Sequence, residues 1–428
     1  MLDRSQKPIT QAVTQFTPPS CSFEQQNGRW LHLGPLRNVG LTRLELLFPG
    51  GRAVQNQILQ ASASLNLLLS GNATFSESQL LKKIDSWGLR FQTEVQNESH
   101  ALVFVFRPEV AQEALPFLLE QLQLGEFPEE RLNSYKQIQL ASLARRQSTP
   151  SYWANRQVFE SLYGKNSFLG KQADAEDFQR LSPEPLLAFR TQHMGYEKAR
   201  ILVSGQYDED FLNLINYLIE KNSHNQLTDN NLIRKFTPRV ELQNPAENNH
   251  SLPKSSQVSL VLARHLDNLA FKDRIDLSLL NTVLGGYFGS RLMQDLRESK
   301  GLTYGIGSRI SPALSGYTWS ISSEMKAESR ELAKAAIQEN MQALIDKPIP
   351  EEELNRAKAY FAGAFRAQFD GPFASAARAK QLWVRGQDEA ELGLTLDTLW
   401  SCQSETLQSL AEQYLQPKDY HLAQAGAL

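Results

Sequence analysis

Apolar and polar positions recur in the same order twice along the 428-residue chain, with an offset of about 216 residues. In the first copy the pattern predicts strand, helix, helix, strand, strand and amphipathic helix at residues 39–48, 53–70, 77–87, 89–96, 100–106 and from 108 onward. The second copy repeats this order at residues 257–264, 273–284, 291–299, 302–310, 316–322 and 328–345. Each copy is too long and too helical for a repeat array, so the pattern predicts duplication of a whole α+β domain.

A polar segment separates the two copies. Residues 222–256 are rich in Asn and are interrupted by Pro238, Pro245 and Pro253, which is typical of an exposed linker. We therefore divide the chain into a first half at residues 1–221, the linker, and a second half at residues 257–428.

Composition narrows the class of protein. The chain is 41% apolar, its net charge is −3, and basic and acidic residues are interleaved without a polybasic block. We therefore expect neither a nucleic acid nor a membrane surface as a partner. No run approaches the roughly 18 apolar residues of a membrane-spanning helix and no signal peptide is evident, so we expect a cytoplasmic protein. Cys21 and Cys402 lie too far apart in sequence to suggest a disulfide framework or a metal site.

Residues 284–308 combine glycines, a helix start, a helix stop and paired polar groups. Ser290 is placed to cap a short helix, and Gly301 is placed to end it. After Gly301 the pattern alternates, which predicts a strand. Arg297 then lies in the last helical turn and Tyr304 at the start of the strand, where a tight reversal can bring them together.

This stretch reads G-G-x-x-x-S-R-L-x-x-x-L-R-E-x-x-G-L-x-Y, which resembles the second-half signature of the insulinase and pitrilysin family of zinc peptidases, including mitochondrial processing peptidase. The resemblance implies two similar α+β halves, each a mostly antiparallel sheet with helices packed on one face, arranged as half of a clamshell. It also implies that Arg297 and Tyr304 hold the substrate carbonyl at a zinc bound by another half. A guanidinium and a phenol are both donors suited to a developing oxyanion. The structural alternative is that Arg297 neutralises a carboxylate or helix end and that Tyr304 packs on the sheet.

The rest of the signature supplies further candidates. Gly285, Gly286, Ser290 and Arg291 are the candidate substrate-binding residues. The glycine-rich loop lacks a P-loop Lys-Ser/Thr and the dinucleotide spacing, which argues against a nucleotide. A tight connection between helices beside the substrate cleft is the simpler interpretation.

The zinc motif of the family is absent. Peptide-hydrolysing members carry H-x-x-E-H on the first helix, and alignment puts Ser62, Leu65 and Asn66 at the His, Glu and His positions. The distant glutamate ligand is missing too, because residues 131–159 contain no Asp, Glu or His. No two of the seven histidines lie three to five residues apart, so no zinc pair is encoded locally; they are His32, His100, His193, His224, His250, His265 and His421. We therefore expect no cofactor on this chain and zinc on a partner.

Two functions follow from this asymmetric loss. The first is the non-zinc subunit of a heterodimeric metallopeptidase, inactive alone, which acts on peptides or unfolded polypeptides beside a homologous zinc-bearing subunit. The alternative is a non-catalytic structural or peptide-binding scaffold with no hydrolytic role. Self-association as a homodimer remains open.

Overall fold

The computed structural model describes residues 12–19, 21–26, 29–36, 38–222, 241–313 and 316–428. Within these residues the strands form one six-stranded and one five-stranded sheet. The first sheet contains β1 (Ser22–Gln26), β2 (Arg29–Leu36), β3 (Thr42–Pro49), β4 (Arg90–Val95), β5 (Ser99–Phe106) and β6 (Arg200–Gly205). The second sheet contains β7 (Glu247–Ser251), β8 (Gln257–Leu266), β9 (Thr303–Ala313), β10 (Gly316–Lys326) and β11 (His421–Gly426).

The two sheets share one topology. The first has the order β1-β2-β6-β3-β5-β4 and the second β7-β11-β8-β10-β9, so that only β1 lacks a counterpart. The β2/β6 and β7/β11 pairs are parallel, and the other pairs are antiparallel. The predicted α+β fold of two similar, mostly antiparallel halves is therefore confirmed.

Helices surround both sheets. In the first half they are α1 (Gln60–Asn66), α2 (Glu77–Ser86), α3 (Ala111–Leu124), α4 (Glu129–Gln147), α5 (Pro150–Tyr163), α6 (Ala175–Gln179), α7 (Pro183–His193) and α8 (Glu209–Lys221). In the second half they are α9 (Phe271–Asn281), α10 (Arg330–Asp346), α11 (Glu351–Ala367), α12 (Pro372–Val384), α13 (Ala390–Ser401) and α14 (Ser404–Tyr414). Two π-helical turns, Thr282–Gly286 and Met293–Ser299, lie between α9 and β9. No helix in the described part of the chain has the length and apolarity needed to cross a membrane.

The helices of each half bury one face of their own sheet. In the first half Leu44, Leu46 and Phe104 pack in one cluster with Leu115 and Leu118 of α3. A separate cluster on the second sheet includes Leu260 and Trp319. Alternate residues of the strands point to the opposite face, which is where the two halves meet.

The opposite face of each sheet is covered by a helix from the other half of the chain. Helix α5 of the first half packs on β8 and β11 of the second sheet, where Ala154 and Val158 contact the cluster of Val261 and Ala263. Helix α12 of the second half packs on β2 and β6 of the first sheet. Each sheet is therefore buried on both sides, once by its own helices and once by a helix of the other half.

The polar segment between the copies is only partly a linker. Residues 223–240 lie outside the described residues, but Glu247–Ser251 within the predicted linker forms β7 and pairs with β11. This strand lies at the edge of its sheet with alternately exposed positions, so its sequence is polar and carries no apolar alternation. Strand β2 was not predicted either, because Gly34 and Pro35 interrupt its pattern.

Candidate functional site

Helix α1 carries the five positions where the family has its zinc motif. It begins after Leu59, whose φ of 72° is the only positive value at a non-glycine residue in the described chain. Ser62 and Asn66 face a cleft between the halves, whereas Leu65 is buried in the core of the first half. The side chain of Asn66 donates a hydrogen bond to the carbonyl of Ser62 at 2.7 Å. The positions that would hold two imidazoles therefore face the cleft but carry a hydroxyl and an amide.

Helix α4, where the third zinc ligand would lie, contacts α1 directly. The side chain of Tyr135 is hydrogen-bonded to that of Ser62. Burial raises the pKa of the Tyr135 phenol, because its effect is larger than that of the hydrogen bond, which lowers the pKa. Within the described residues no group of three or more His, Cys, Asp or Glu side chains is placed to bind a metal. A hydroxyl, an amide and a neutral phenol are poor ligands for zinc, so the residues present do not fit the metal.

The cleft next to these helices is large. A cavity of about 940 Å³ lies between the halves and is walled by α1, α4 and α5 from the first half and by β9 and β10 from the second. Ser311, Pro312 and Thr318 are the second-half residues that line it. A smaller cavity of about 460 Å³ adjoins it and shares Ser311 and Pro312.

The floor of the larger cavity contains a polar cluster that the sequence did not reveal. The hydroxyl of Tyr163 on α5 is hydrogen-bonded to Thr318 on β10 and lies 3.3 Å from Nδ1 of His265 on β8. Burial raises the pKa of Tyr163 to about 12, so the phenol is neutral. Tyr163 belongs to the first half and His265 and Thr318 to the second, so no local sequence pattern could show these contacts.

The second-half signature folds as two π-helical turns rather than as a loop followed by an α-helix. Gly285 is buried, and a Cβ there would lie 2.8 Å from the backbone nitrogen of Ser308. Gly286 lies against Asn281, where a Cβ would be 3.1 Å from the carbonyl oxygen. The two glycines thus permit close packing of the first π-helical turn. Their predicted contact with substrate stays a prediction.

Ser290 and Arg291 are placed by backbone and ion-pair contacts. The carbonyl of Ser290 accepts a hydrogen bond from the amide of Gln294 at 3.0 Å. Its buried hydroxyl has no partner among the described residues, so the predicted side-chain cap is not formed. Arg291 binds both carboxylate oxygens of Glu353 at 2.8 and 3.0 Å. Its guanidinium therefore holds the turn against α11, and a role in substrate binding is untested.

Arg297 and Tyr304 remain open to solvent. The Arg297 guanidinium lies 5.2 Å from the centre of the Phe288 ring, and its Nε is 3.5 Å from Glu298. Tyr304 is 85% exposed and is the extra residue where the β9/β10 register shifts. Neither side chain lines the cavity beside α1. The structure thus separates these two donors from the former metal position of the same chain.

The bulge at Tyr304 is fixed by its neighbour. The hydroxyl of Thr303 donates to the carbonyl of Glu324 across the strand pair at 2.5 Å and receives a bond from Ser323 at 3.0 Å. Such bulges redirect a side chain at a sheet edge. The exposed position of Tyr304 is therefore built into the strand pairing.

Known proteins share both sequence and fold with this chain. The family model described as "Peptidase M16 inactive domain" matches residues 180–361. A relative from Rickettsia bellii described as an uncharacterized zinc protease is 22% identical over 297 residues, which are 68% of this chain and 69% of that protein. The non-peptidase homolog YmxG of Helicobacter pylori is 21% identical over 338 residues, covering 75% of this chain and 74% of that protein.

A solved structure shows the same fold over nearly the whole length. The peptidase M16 inactive domain from Pseudomonas fluorescens superposes with a TM-score of 0.82 at 19% identity and covers 95% of this chain and 98% of its own. Residues 180–361 are therefore similar to the peptidase M16 inactive domain, and the chain shares the fold of a solved domain of that description.

Proposed function

We propose that this chain is the zinc-free subunit of a two-chain peptidase and that it presents Arg297 and Tyr304 to a zinc site on a homologous partner. The proposal rests on a difference between the former metal position and the two donor side chains. The former metal position carries a hydroxyl and an amide that form hydrogen bonds within the chain, whereas the two donors of the second half are exposed. An aromatic side chain held 85% exposed by a β-bulge suits a role in contact with another molecule.

The chemistry of the two side chains supports this role. Both are hydrogen-bond donors, and neither needs a metal of its own to stabilise the oxyanion that forms when the scissile carbonyl is attacked. The ion pair of Arg297 with Glu298 spans 3.5 Å between two well-exposed side chains, so it holds the guanidinium weakly. Arg297 can therefore turn towards a substrate at little cost.

The sheets offer a way to hold an extended substrate. Strand β4 is at one edge of the first sheet and β9 at one edge of the second, so each presents unpaired backbone groups. An extended peptide can add to such an edge as a further strand. Peptides and unfolded polypeptides are therefore the substrates that we propose.

The test is to purify the chain alone and together with a relative that retains H-x-x-E-H. The pair should hydrolyse an unfolded polypeptide and the single chain should not. Loss of one oxyanion donor lowers kcat by about 100-fold to 1,000-fold, so we expect Arg297→Ala and Tyr304→Phe to reduce the kcat of the pair on that scale. Arg180→Ala is the matched control, because Arg180 forms an exposed pair with Glu176 on α6.

Two results would contradict the proposal. Proteolysis by the chain alone would contradict its inactivity, and unchanged activity of the pair with Arg297→Ala would remove the role in catalysis. If no zinc-bearing relative binds the chain and both substitutions are silent, the alternative of a non-catalytic scaffold is favoured.

A further inference from the structure

We infer that the cavity next to the former metal position binds acidic peptide segments. The residues lining it include three cations and no Asp or Glu; the cations are Arg52, Arg146 and Lys171. The whole chain has 47 acidic and 44 basic residues. The lining of the cavity therefore differs in charge from the chain as a whole.

The three cations differ in how far their charge is already neutralised. Lys171 lies 3.7 Å from Asp177, and Glu98 is the acidic group that acts on Arg52. Arg146 forms no ion pair with any carboxylate of the described chain, and its guanidinium lies 6.0 Å from the centre of the Tyr152 ring. An exposed guanidinium beside an aromatic face can bind a carboxylate with two parallel hydrogen bonds. Arg146 is therefore the main anchor for an acidic side chain.

Uncharged donors extend the site around Arg146. The amide side chains of Asn66, Asn97 and Gln139 also line the cavity. Amide groups can donate to carboxylates and to peptide carbonyls and carry no charge that would repel an anion. The cavity is thus suited to a chain of peptide groups with carboxylates on its side chains.

The adjoining smaller cavity is also lined by basic residues. It is lined by Arg43, Arg309, Lys380 and Arg385, with Glu94 and Glu98 as its acidic residues. Lys380 and Arg43 lie 2.9 and 3.5 Å from Glu94 and also pair with Glu45, so these two cations are already balanced by two carboxylates. Arg309 forms no ion pair with a carboxylate of the described residues, so a peptide longer than the larger cavity would meet one further unpaired cation.

The inference does not depend on a zinc-bearing partner, so the experiment uses the full chain alone. Three fluorescent 12-residue peptides of equal length would be compared by anisotropy: one alternating Asp and Glu with Ala, one with Asn and Gln in their place, and one with Lys and Arg. We expect the acidic peptide to bind about tenfold more tightly than the neutral one and the basic peptide to bind most weakly. Binding of the acidic peptide should weaken as salt is raised.

Adjacent arginines supply a matched control. Arg145 and Arg146 are both exposed in the last turn of α4, but only Arg146 lines the cavity. We expect Arg146→Ala to weaken binding of the acidic peptide about tenfold and Arg145→Ala to leave it within about twofold, because only the first removes a charge from the cavity. Both variants should unfold at the same temperature as the unchanged chain, since neither side chain is buried.

Three results would overturn the inference: equal binding of the three peptides, binding of none, or equal weakening by Arg145→Ala and Arg146→Ala. The last would indicate non-specific attraction to the surface of α4. None of them bears on hydrolysis by a two-chain complex, so failure here is distinct from failure of the proposed function.

Discussion

The two exchanged helices cover equivalent faces with different chemistry. At the α5 interface, small and branched apolar side chains of α5 pack against Val261, Ala263 and two alanines of β11. At the α12 interface, Trp383 and Val384 of α12 pack on an apolar cluster of the first sheet, and in addition Lys380 pairs with Glu45 and with Glu94 at 2.9 Å. Duplication thus gave both halves the same plan, whereas the contacts that hold one half to the other diverged.

This difference shows where the structure tolerates change. The α5 interface depends on close packing and should respond to lost volume. The α12 interface places Glu45, which is 1% exposed, under a helix of the other half, and it should respond to lost charge. The α12 interface also borders the smaller cavity, because Lys380, Arg43 and Glu94 line it. Its charges therefore both join the halves and contribute to the potential of the cleft.

Removal of Lys380 tests the α12 interface most strongly. Lys380→Ala leaves Glu45 buried with Arg43 as its remaining partner, and we expect a loss of about 3 kcal/mol in the free energy of unfolding. Urea unfolding measures this change in free energy. The control is Lys334→Ala, whose more exposed pair with Glu247 should contribute less than about 1 kcal/mol. Adding Glu45→Gln to Lys380→Ala should recover part of the loss, and a double variant no more stable than Lys380→Ala would contradict the charge argument.

A truncation tests the α5 interface by volume. Leu162 is buried in this cluster, and Leu162→Ala should cost about 2 kcal/mol because it removes packed methyl groups and leaves a cavity. The same urea titration measures this loss of stability. Leu187→Ala is the matched control, since Leu187 is exposed and should change stability by less than about 0.5 kcal/mol. A smaller loss at Leu162 than at Leu187 would show that this contact does not hold the halves.

The α5 interface also contains a polar link that should matter less. Ser161 of α5 lies 2.8 Å from Nδ1 of His421 on β11, and the other ring nitrogen of His421 lies 3.2 Å from the carbonyl of Gln243. Ser161→Ala leaves Nδ1 without this partner, for which we expect a loss of about 1 kcal/mol by thermal unfolding. Ser134→Ala removes only an exposed bond to a helix carbonyl and should be silent.

The smallest effect is expected from acid. Burial alone would raise the pKa of Glu45, but Lys380 and Arg43 outweigh it and hold the pKa below its ordinary value of 4.5. A lowered folded-state pKa means that the contribution of Glu45 to stability is present above pH 4.5 and is lost as the pH falls through the folded value. Urea unfolding between pH 6 and pH 3 should show a shallower decline for the double variant Glu45→Gln, Lys380→Met. Identical slopes would place the acid sensitivity elsewhere.

The local pattern of apolar residues was sufficient to predict most of the helices and strands that bury one or both of their faces. The order of strands and helices in each half, the position of residues 62–66 on a helix and the strand at Tyr304 all follow from apolar spacing and glycine placement. Strands β1, β2, β7 and β11 were missed; of these, β2 contains Gly34 and Pro35, and β7 is a polar edge strand. Spacing rules have little to act on in such strands.

The candidate site was predicted less completely than the fold. The sequence showed that Ser62 and Asn66 replace the zinc ligands, but the contact of Ser62 with Tyr135 depends on α1 and α4 lying side by side. The exposure of Tyr304 depends on a register shift opposite Glu324 and Met325. Neither spacing nor composition encodes such a shift, because it arises from the pairing of two separate strands.

By itself, the sequence determined the duplication, the order of the elements and the loss of the metal ligands, since each of these is written in residue types and their spacing. Only the tertiary structure decided that each sheet is covered by a helix of the other half, that buried ion pairs join the halves at α12 but not at α5, and that the larger cavity beside α1 is lined by cations without carboxylates. The physical reason is that periodicity records which side of an element is buried. It does not record which distant side chains bury it or whose charge they must balance.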